Sequence, residues 1–179
     1  MKKSIGNKKI KTAIFISGRG SNLKNLIKFS NQISSPISIK LIVSNNKKAK
    51  GLRYADQDNI EKKIINFSNP IIAEKKILSL LVKKKIKFIC LAGFMKILSA
   101  YFIEKFNGKI INIHPSLLPK YKGLNSHEIA IKNNDKISGC TVHYVTPKLD
   151  SGKIIMQKTV KISKIDTPKS LEKKILKKE

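Results

Sequence analysis

The chain is 179 residues long and 41% apolar, which is typical of one globular domain with its own core. Its 38 basic and 11 acidic residues give a net charge of +27, which favours anionic over cationic ligands. No apolar run approaches the ~20 residues that span a bilayer, and the apolar stretch near the basic start is too short for a secretory signal, so we expect a cytoplasmic chain that binds no membrane.

Short apolar segments alternate with helical patterns along the chain. This alternation predicts an α/β fold with a mostly parallel central sheet that is covered by helices. The continuous apolar runs FICLA and IINI are typical of strands that are buried on both faces. The predicted strands are residues 12–17, 37–43, 63–67, 87–92, 109–113, 140–145 and 153–159.

Three helices are predicted from apolar spacing and capping signals. Residues 21–29 carry three apolar side chains on one helical face. The Asn-Pro pair at 69–70 predicts a helix that begins there and ends near residue 85. The Thr-Pro pair at 167–168 predicts a last helix, which we expect to continue to Glu179.

The first predicted strand is followed by the glycine-rich turn SGRGSN. Gly18 and Gly20 allow a tight turn and a close approach of the backbone to a ligand, and Ser21 and Asn22 add side-chain donors. A helix N-terminus also offers free N–H groups to a phosphate. The turn lacks the third glycine of a dinucleotide fingerprint and the lysine of a P-loop. A phosphate site and an ordinary turn capped by Ser21 therefore remain as two interpretations.

The second candidate stretch, INIHPSLLP, lies at the carboxyl end of a predicted buried strand, where open α/β sheets bind ligands. Asn112 and His114 are two residues apart, so they face the same side of a strand. An amide can stabilise a developing oxyanion, and an imidazole can donate or carry a proton near neutral pH. The pattern leaves a catalytic and a structural role for His114 equally open.

The third stretch joins GCTVHYV at 139–145 to TPKLDSG at 146–152. His143 is interpreted first as a buried strand histidine with satisfied hydrogen bonds. Asp150 is either a turn former or a carboxylate that orients an imidazole or accepts a proton. The spacing alone does not decide between these roles.

Nucleic acid and metal ions are both disfavoured as ligands. Arginine occurs only at Arg19 and Arg53, tryptophan is absent and aromatic residues are 6%, whereas nucleic-acid sites favour arginine and aromatic side chains. The joint excess of lysine, isoleucine and asparagine is what an AT-rich genome encodes. Cys90 and Cys140 belong to no ligand cluster, so we expect two reduced core thiols and no metal.

Together and in this order, the three stretches resemble the phosphoribosylglycinamide formyltransferase family, the folate-dependent formyltransferases of purine synthesis. The resemblance covers nearly the whole chain from about residue 12. It implies a single Rossmann-like formyltransferase domain over residues 1–179 that lacks the usual C-terminal segment. The similar text is ISGRGSNL at 16–23, LAGFMKIL at 91–98, INIHPSLLPKYKGLNSHEIAI at 111–131, GCTVHYV at 139–145 and LDSGKIIMQ at 149–157.

The reaction implied by the resemblance is transfer of the formyl group of 10-formyltetrahydrofolate to the amine of 5-phosphoribosylglycinamide, in de novo synthesis of IMP. It implies small-molecule partners, no metal, no specific nucleic acid, and a monomer or weak homodimer. The alternatives are a formyltetrahydrofolate deformylase, the transferase that formylates initiator methionyl-tRNA, and a catalytically inactive nucleotide-binding domain of the same fold.

The resemblance also assigns site residues. The catalytic trio is Asn112, His114 and Asp150, with His143 in support. The substrate-binding residues are Gly20, Ser21, Asn22 and Glu179. The folate-binding residues are Met95, Lys96, Ile97 and Leu98. The chain departs from the family at Lys96, where arginine is frequent, and at Lys153, where the usual residue is a proline that would stiffen the Asp150 loop.

Overall fold

The computed structural model describes residues 8–179; residues 1–7, which belong to the basic start and to the expected domain, lie outside the described part. Within it, strands and helices alternate as predicted. The elements are β1 (Ile10–Ile16), α1 (Ser21–Ser30), β2 (Ile37–Ser44), α2 (Leu52–Gln57), β3 (Lys62–Ile64), α3 (Pro70–Lys83), β4 (Phe88–Leu91), α4 (Ala100–Lys105), β5 (Lys109–His114), α5 (Ser126–Lys132), β6 (Ile137–Tyr144), β7 (Ile154–Lys161) and α6 (Pro168–Leu176).

The seven strands are ordered β3-β2-β1-β4-β5-β6-β7 in one sheet. The chain divides into two compact units. The described part of unit 1 is residues 8–96 and 104–109, and unit 2 is residues 97–103 and 110–179. The expectation of a single domain stays a prediction.

Unit 1 is built on parallel strands, with β1 paired to β2 on one side and to β4 on the other. Ala13, Ile14, Phe15 and Ile16 of β1 are fully buried, as expected of a central strand covered on both faces. The carboxyl ends of these parallel strands lie at the same edge of the sheet. The turn after β1 and the loop after β2 are therefore neighbours.

Unit 2 is built on antiparallel strands, with β6 between β5 and β7. This direction was not predicted from the sequence. Beside β6, the α5 residue Ala130 and the α6 residues Leu171 and Ile175 pack with Cys140 in a buried cluster. Burial of this apolar surface fixes the two helices on the strand.

The predicted N-terminal caps of α3 and α6 are confirmed. The Asn69 side chain accepts a hydrogen bond from the backbone N–H of Ile72, and Thr167 forms a capping box with Ser170. The last helix ends at Leu176, so the prediction that it continues to the terminus is wrong. Within the described residues, no helix is long and apolar enough to span a bilayer.

Other differences concern short elements. The helices α2, α4 and α5 have only six or seven residues and were not predicted. The strand β3 ends at Ile64, which is earlier than predicted, and the buried side chains of Ile65 and Phe67 lie in the loop beyond it.

Candidate active site

The strand β5 carries the first two site residues at its carboxyl end. Asn112 lies directly opposite His143 in the antiparallel register of β5 and β6. Its amide Nδ2 is 3.2 Å from His143 Nε2. His114 is 4% exposed and lies two residues further along β5. Strand geometry alone thus places an amide and two imidazoles in a buried region of unit 2.

The connection from β6 to β7 brings Asp150 to the same place. Its Oδ2 lies 3.3 Å from His114 Nδ1, and its Oδ1 lies 3.5 Å from His143 Nε2. The Gly123 N–H donates to Oδ2 at 2.8 Å. The four side chains of Asn112, His114, His143 and Asp150 are called the Asp150 cluster below. The structure therefore brings the predicted trio together with its supporting histidine.

The backbone conformation around Asp150 restricts which residues this loop can contain. Asp150 has a φ of 43°, a left-handed conformation that aspartate tolerates better than most residues. A Cβ on Gly152 would lie 1.7 Å from the Tyr144 carbonyl oxygen. Only glycine permits this close return of the chain to β6. The β6–β7 register also shifts between Val142 and His143, beside the cluster.

The charge of Asp150 follows from its neighbours. Burial raises the pKa of the carboxyl group, but the hydrogen bond with His143, the Gly123 N–H and the positive charge of His114 together hold that pKa below its ordinary value. Asp150 is therefore ionised at neutral pH. A buried carboxylate beside two imidazoles can accept a proton or keep a ring charged.

Both ring nitrogens of His114 face oxygen acceptors. Nε2–H donates to the Tyr121 carbonyl at 2.8 Å, and Nδ1 faces Asp150. The His114 ring is therefore held on two sides, between the Tyr121 carbonyl and the Asp150 carboxylate.

His143 is 2% exposed, and both of its ring nitrogens have partners, as predicted for a buried strand histidine. Nδ1–H donates to the Tyr144 carbonyl at 2.9 Å. Nε2 can accept from the Asn112 amide when the ring is neutral or donate to Asp150 when it is protonated. The supporting role that the resemblance implies for His143 stays a prediction.

Sequence reasoning missed the polar groups that hold the loop after β5. The Thr141 hydroxyl donates to the Ser116 carbonyl at 2.6 Å and accepts from the Leu118 N–H at 3.1 Å. The Gln157 amide donates to the Leu118 carbonyl and to Thr141. Thr141 and Gln157 lie within the similar text at 139–145 and 149–157, which is the signal that could have indicated them.

The glycine-rich turn of unit 1 is tightly packed. Gly20 is the N-cap residue of α1 with a φ of 77°, and a Cβ there would lie 2.5 Å from the Gly51 Cα. Ser21 is the first helical residue, and α1 has no side-chain cap. The interpretation as a turn capped by Ser21 is therefore wrong. An uncapped helix start with backbone N–H groups is suited to a phosphate.

Polar residues after β2 support this turn and were also missed. The Asn46 amide donates to the Ser17 carbonyl at 3.2 Å, and the Gly51 N–H donates to the Gly18 carbonyl at 3.0 Å. The sequence signal that could have indicated these residues is the polar triplet Ser44-Asn45-Asn46. It lies at the carboxyl end of β2, and open α/β sheets bind ligands at the carboxyl ends of their strands.

The segment predicted to bind folate presents exposed apolar side chains. Met95, in unit 1, is 65% exposed, and its N–H donates to the Ser17 hydroxyl at 2.7 Å. Ile97, in unit 2, is 69% exposed, whereas Leu98 is buried. Lys96 is exposed. Of the four predicted folate-binding residues, Met95 and Ile97 thus expose apolar surface, and their role stays a prediction.

The remaining predicted residues lie elsewhere in their units. Glu179 contacts the end of α6 through its N–H, and its charge acts on Cys140 of β6. Cys90 and Cys140 are free and buried, as predicted. Burial raises the pKa of Cys90 to about 12 and also raises the pKa of Cys140, which disfavours the reactive thiolate form of both residues. Among residues 8–179, no group of three or more His, Cys, Asp or Glu side chains could hold a metal ion.

A family model described as formyl transferase matches residues 10–179. The chain therefore belongs to the formyl transferase family.

Named relatives agree with this assignment. The phosphoribosylglycinamide formyltransferase of Haemophilus influenzae is 41% identical over 165 residues, which is 90% of this chain and 78% of that enzyme. The trifunctional purine biosynthetic protein adenosine-3 of Homo sapiens is 40% identical over 175 residues, and the chain spans 96% of its own length but only 17% of that protein.

The solved structure of phosphoribosylglycinamide formyltransferase from Anaplasma phagocytophilum has a TM-score of 0.88 and is 43% identical to the chain. The match covers 95% of this chain and 80% of that one. The predicted fold class, a Rossmann-like and mostly parallel sheet with flanking helices, is confirmed.

Proposed function

We propose that the chain transfers the formyl group of 10-formyltetrahydrofolate to the amine of 5-phosphoribosylglycinamide, in the synthesis of purines. The observation that carries the proposal is the Asp150 cluster, in which a carboxylate contacts two imidazoles and one of these contacts an amide. The names of two similar proteins, from Haemophilus influenzae and Anaplasma phagocytophilum, support the choice of substrate.

In this proposal, the formyl donor supplies the one-carbon group. Transfer forms a bond between the substrate amine and the formyl carbon and breaks the bond from that carbon to the donor nitrogen, which regains a proton. Negative charge develops on the formyl oxygen. Asn112 directs one amide hydrogen to His143 and has a second one for this oxygen. A well-placed donor of this kind contributes about 3–4 kcal/mol.

His114 and Asp150 have complementary roles. We propose a protonated His114, whose ring is already fixed by Asp150 and by the Tyr121 carbonyl when the oxygen becomes negative. Asp150 keeps the ring charged and receives the proton that the attacking amine releases, directly or through water. His143, on the adjacent strand, supports Asn112 by accepting one of its amide hydrogens.

For the phosphate of the substrate, we propose Gly20, Ser21 and Asn22 at the uncapped start of α1. Glu179 is proposed as a contact to the substrate ribose. For the formyl donor, we propose the segment of Met95, Lys96, Ile97 and Leu98, in which the exposed side chains of Met95 and Ile97 offer apolar contacts to a pterin ring.

The proposal includes residues 1–179 acting as one catalytic domain. It also includes a cytoplasmic location, a monomer or weak homodimer, and no specific nucleic-acid partner.

The test is donor turnover by purified protein with and without 5-phosphoribosylglycinamide, followed by absorbance of the folate product. Turnover that requires the ribonucleotide supports the proposal. Turnover at an equal rate without it identifies a deformylase. If the folded protein shows no donor turnover with or without the ribonucleotide, and binds RNA or DNA in a salt-sensitive manner, it is instead the catalytically inactive domain.

A further inference from the structure

The backbone of Tyr121 contacts the second nitrogen of His114. Its carbonyl accepts from His114 Nε2 at 2.8 Å, on the side of the ring away from Asp150. Tyr121 has a φ of 54°, in the left-handed region that aromatic residues rarely adopt. Such a conformation persists only where the surroundings hold it. The direction of this carbonyl therefore depends on what anchors Tyr121.

The side chain of Tyr121 has that anchor. Its hydroxyl donates to Asp135 Oδ2 at 2.9 Å and accepts from the Asn133 amide at 3.0 Å, in the turn between α5 and β6. The Asp135 side chain is 17% exposed, and its other oxygen lies 3.5 Å from Lys120 Nζ. The Tyr121 ring also packs against the buried cluster that contains Cys140. The Tyr121 side chain is thus held by hydrogen bonds at its hydroxyl group and by packing of its ring.

We propose that Tyr121, anchored through its hydroxyl to Asp135 and Asn133, is a positioning residue that holds the His114 ring toward Asp150. The inference rests on the proposed function, because it concerns the orientation of a group assigned to formyl transfer. Tyr121 itself touches no reacting atom. It acts through the backbone oxygen that fixes the second edge of the imidazole.

Three variants test the hydrogen bond between the Tyr121 hydroxyl and Asp135. Tyr121→Phe removes both hydroxyl contacts and keeps the ring. Asp135→Ala removes the acceptor, whereas Asp135→Asn keeps an oxygen acceptor and loses only the charge that faces Lys120. We expect Tyr121→Phe and Asp135→Ala to lower kcat by about ten- to a hundred-fold with KM almost unchanged, because small displacements of a catalytic group have effects of this size. Asp135→Asn should stay close to wild type.

A second background shows whether the effect passes through His114. In a His114→Asn protein, the residual kcat should not fall further when Tyr121→Phe is added, because residues that act as one unit are not additive. Tyr101→Phe, which alters an exposed tyrosine of α4, serves as the matched control. Circular dichroism and thermal unfolding establish that each variant is folded.

A readout without turnover separates this inference from the proposed function. In protein labelled with ¹⁵N-histidine, the His114 Nε2 resonance, assigned with the His114→Asn variant, should shift in Tyr121→Phe and in Asp135→Ala and stay in place in Asp135→Asn. An unchanged resonance overturns the inference even if the wild type is active. Equal losses of kcat in the wild-type and His114→Asn backgrounds also overturn it. Absence of formyl transfer in the wild type, with the expected shifts present, contradicts only the proposed function.

Discussion

Asp150 and His114 come from different parts of unit 2 and meet with Oδ2 and Nδ1 3.3 Å apart, both side chains being almost fully buried. His114 ends the strand β5, and Asp150 lies in the loop before β7. A buried carboxylate needs a partner of this kind, because an unpaired charge in a protein interior is strongly destabilising. The contact thus gives the buried Asp150 carboxylate a partner, and it is also central to the proposed chemistry.

The Asp150 carboxylate is expected to be essential for turnover. Asp150→Asn keeps the size of the side chain and removes the negative charge that faces His114 Nδ1. We expect kcat to fall by about 10²–10⁴-fold, the range for loss of an acid–base group, with little change in ribonucleotide affinity. Steady-state kinetics and calorimetry measure the two effects. Asp58→Asn, an exposed change at the end of α2, is the control and should leave both unchanged. Wild-type turnover in Asp150→Asn would remove Asp150 from the mechanism.

The Gly152 contact predicts that a single methyl group disturbs the site. Gly152→Ala would place a Cβ 1.7 Å from the Tyr144 carbonyl oxygen, so the backbone before β7 must move. Overpacking of this kind costs about 1–3 kcal/mol in the free energy of unfolding. The shift should also displace Asp150 and lower kcat. Urea unfolding and kinetics of Gly152→Ala are compared with Lys153→Ala, which changes the next, exposed side chain. Similar stability of the two variants would show that the loop absorbs the methyl group.

The start of α6 predicts a pH-dependent contribution to stability. The Lys174 ammonium, the Ser163 N–H and the Ser170 hydroxyl hold the pKa of Asp166 well below its ordinary range. A depressed folded-state pKa stabilises the protein above the unfolded value of about 3.9, and this stabilisation is lost as the pH falls toward the folded value. Asp166→Asn should therefore be less stable than wild type at pH 7. The difference should shrink below about pH 4.

Denaturant unfolding of both proteins at several pH values measures this trend. Asp58→Asn again serves as the control and should show no comparable change. A difference between Asp166→Asn and wild type that stays constant into the acid range would show that the Asp166 charge is not its source.

The packing of Gly20 against Gly51 predicts that the turn after β1 tolerates no side chain. Gly20→Ala combines a φ of 77° with a Cβ 2.5 Å from the Gly51 Cα. We expect weaker binding of the ribonucleotide, by at least about tenfold, because the N–H groups at the start of α1 must move. Calorimetric titration with ribonucleotide measures this affinity. Unchanged affinity in a folded Gly20→Ala protein would place the phosphate elsewhere.

Much of the fold could be predicted because its signals are local. The apolar runs that became β4 and β5, and the caps at Asn69 and Thr167, need only neighbouring residues to be interpreted. The helix α2 escaped prediction because its N-cap is Gly51, without a side-chain hydrogen bond. The antiparallel direction of β6 and β7 depends on pairing between distant segments, which periodicity does not contain.

The site shows the same division. Asn112 and His114 could be placed on one face of a strand from their spacing, but spacing left the role of Asp150 undecided. Its contact with His114 depends on a left-handed backbone and on the close return allowed by Gly152. The contact of Tyr121 with His114 involves a backbone oxygen, which no side-chain motif specifies.

The most direct test of the central claim uses donor labelled with ¹³C in the formyl group, incubated with the ribonucleotide and either wild-type protein or Asp150→Asn. The account predicts that wild type moves the label to the amine of the ribonucleotide, detected by mass spectrometry, and that Asp150→Asn does so far more slowly. Label that appears as free formate, or at equal rates with both proteins, would contradict it.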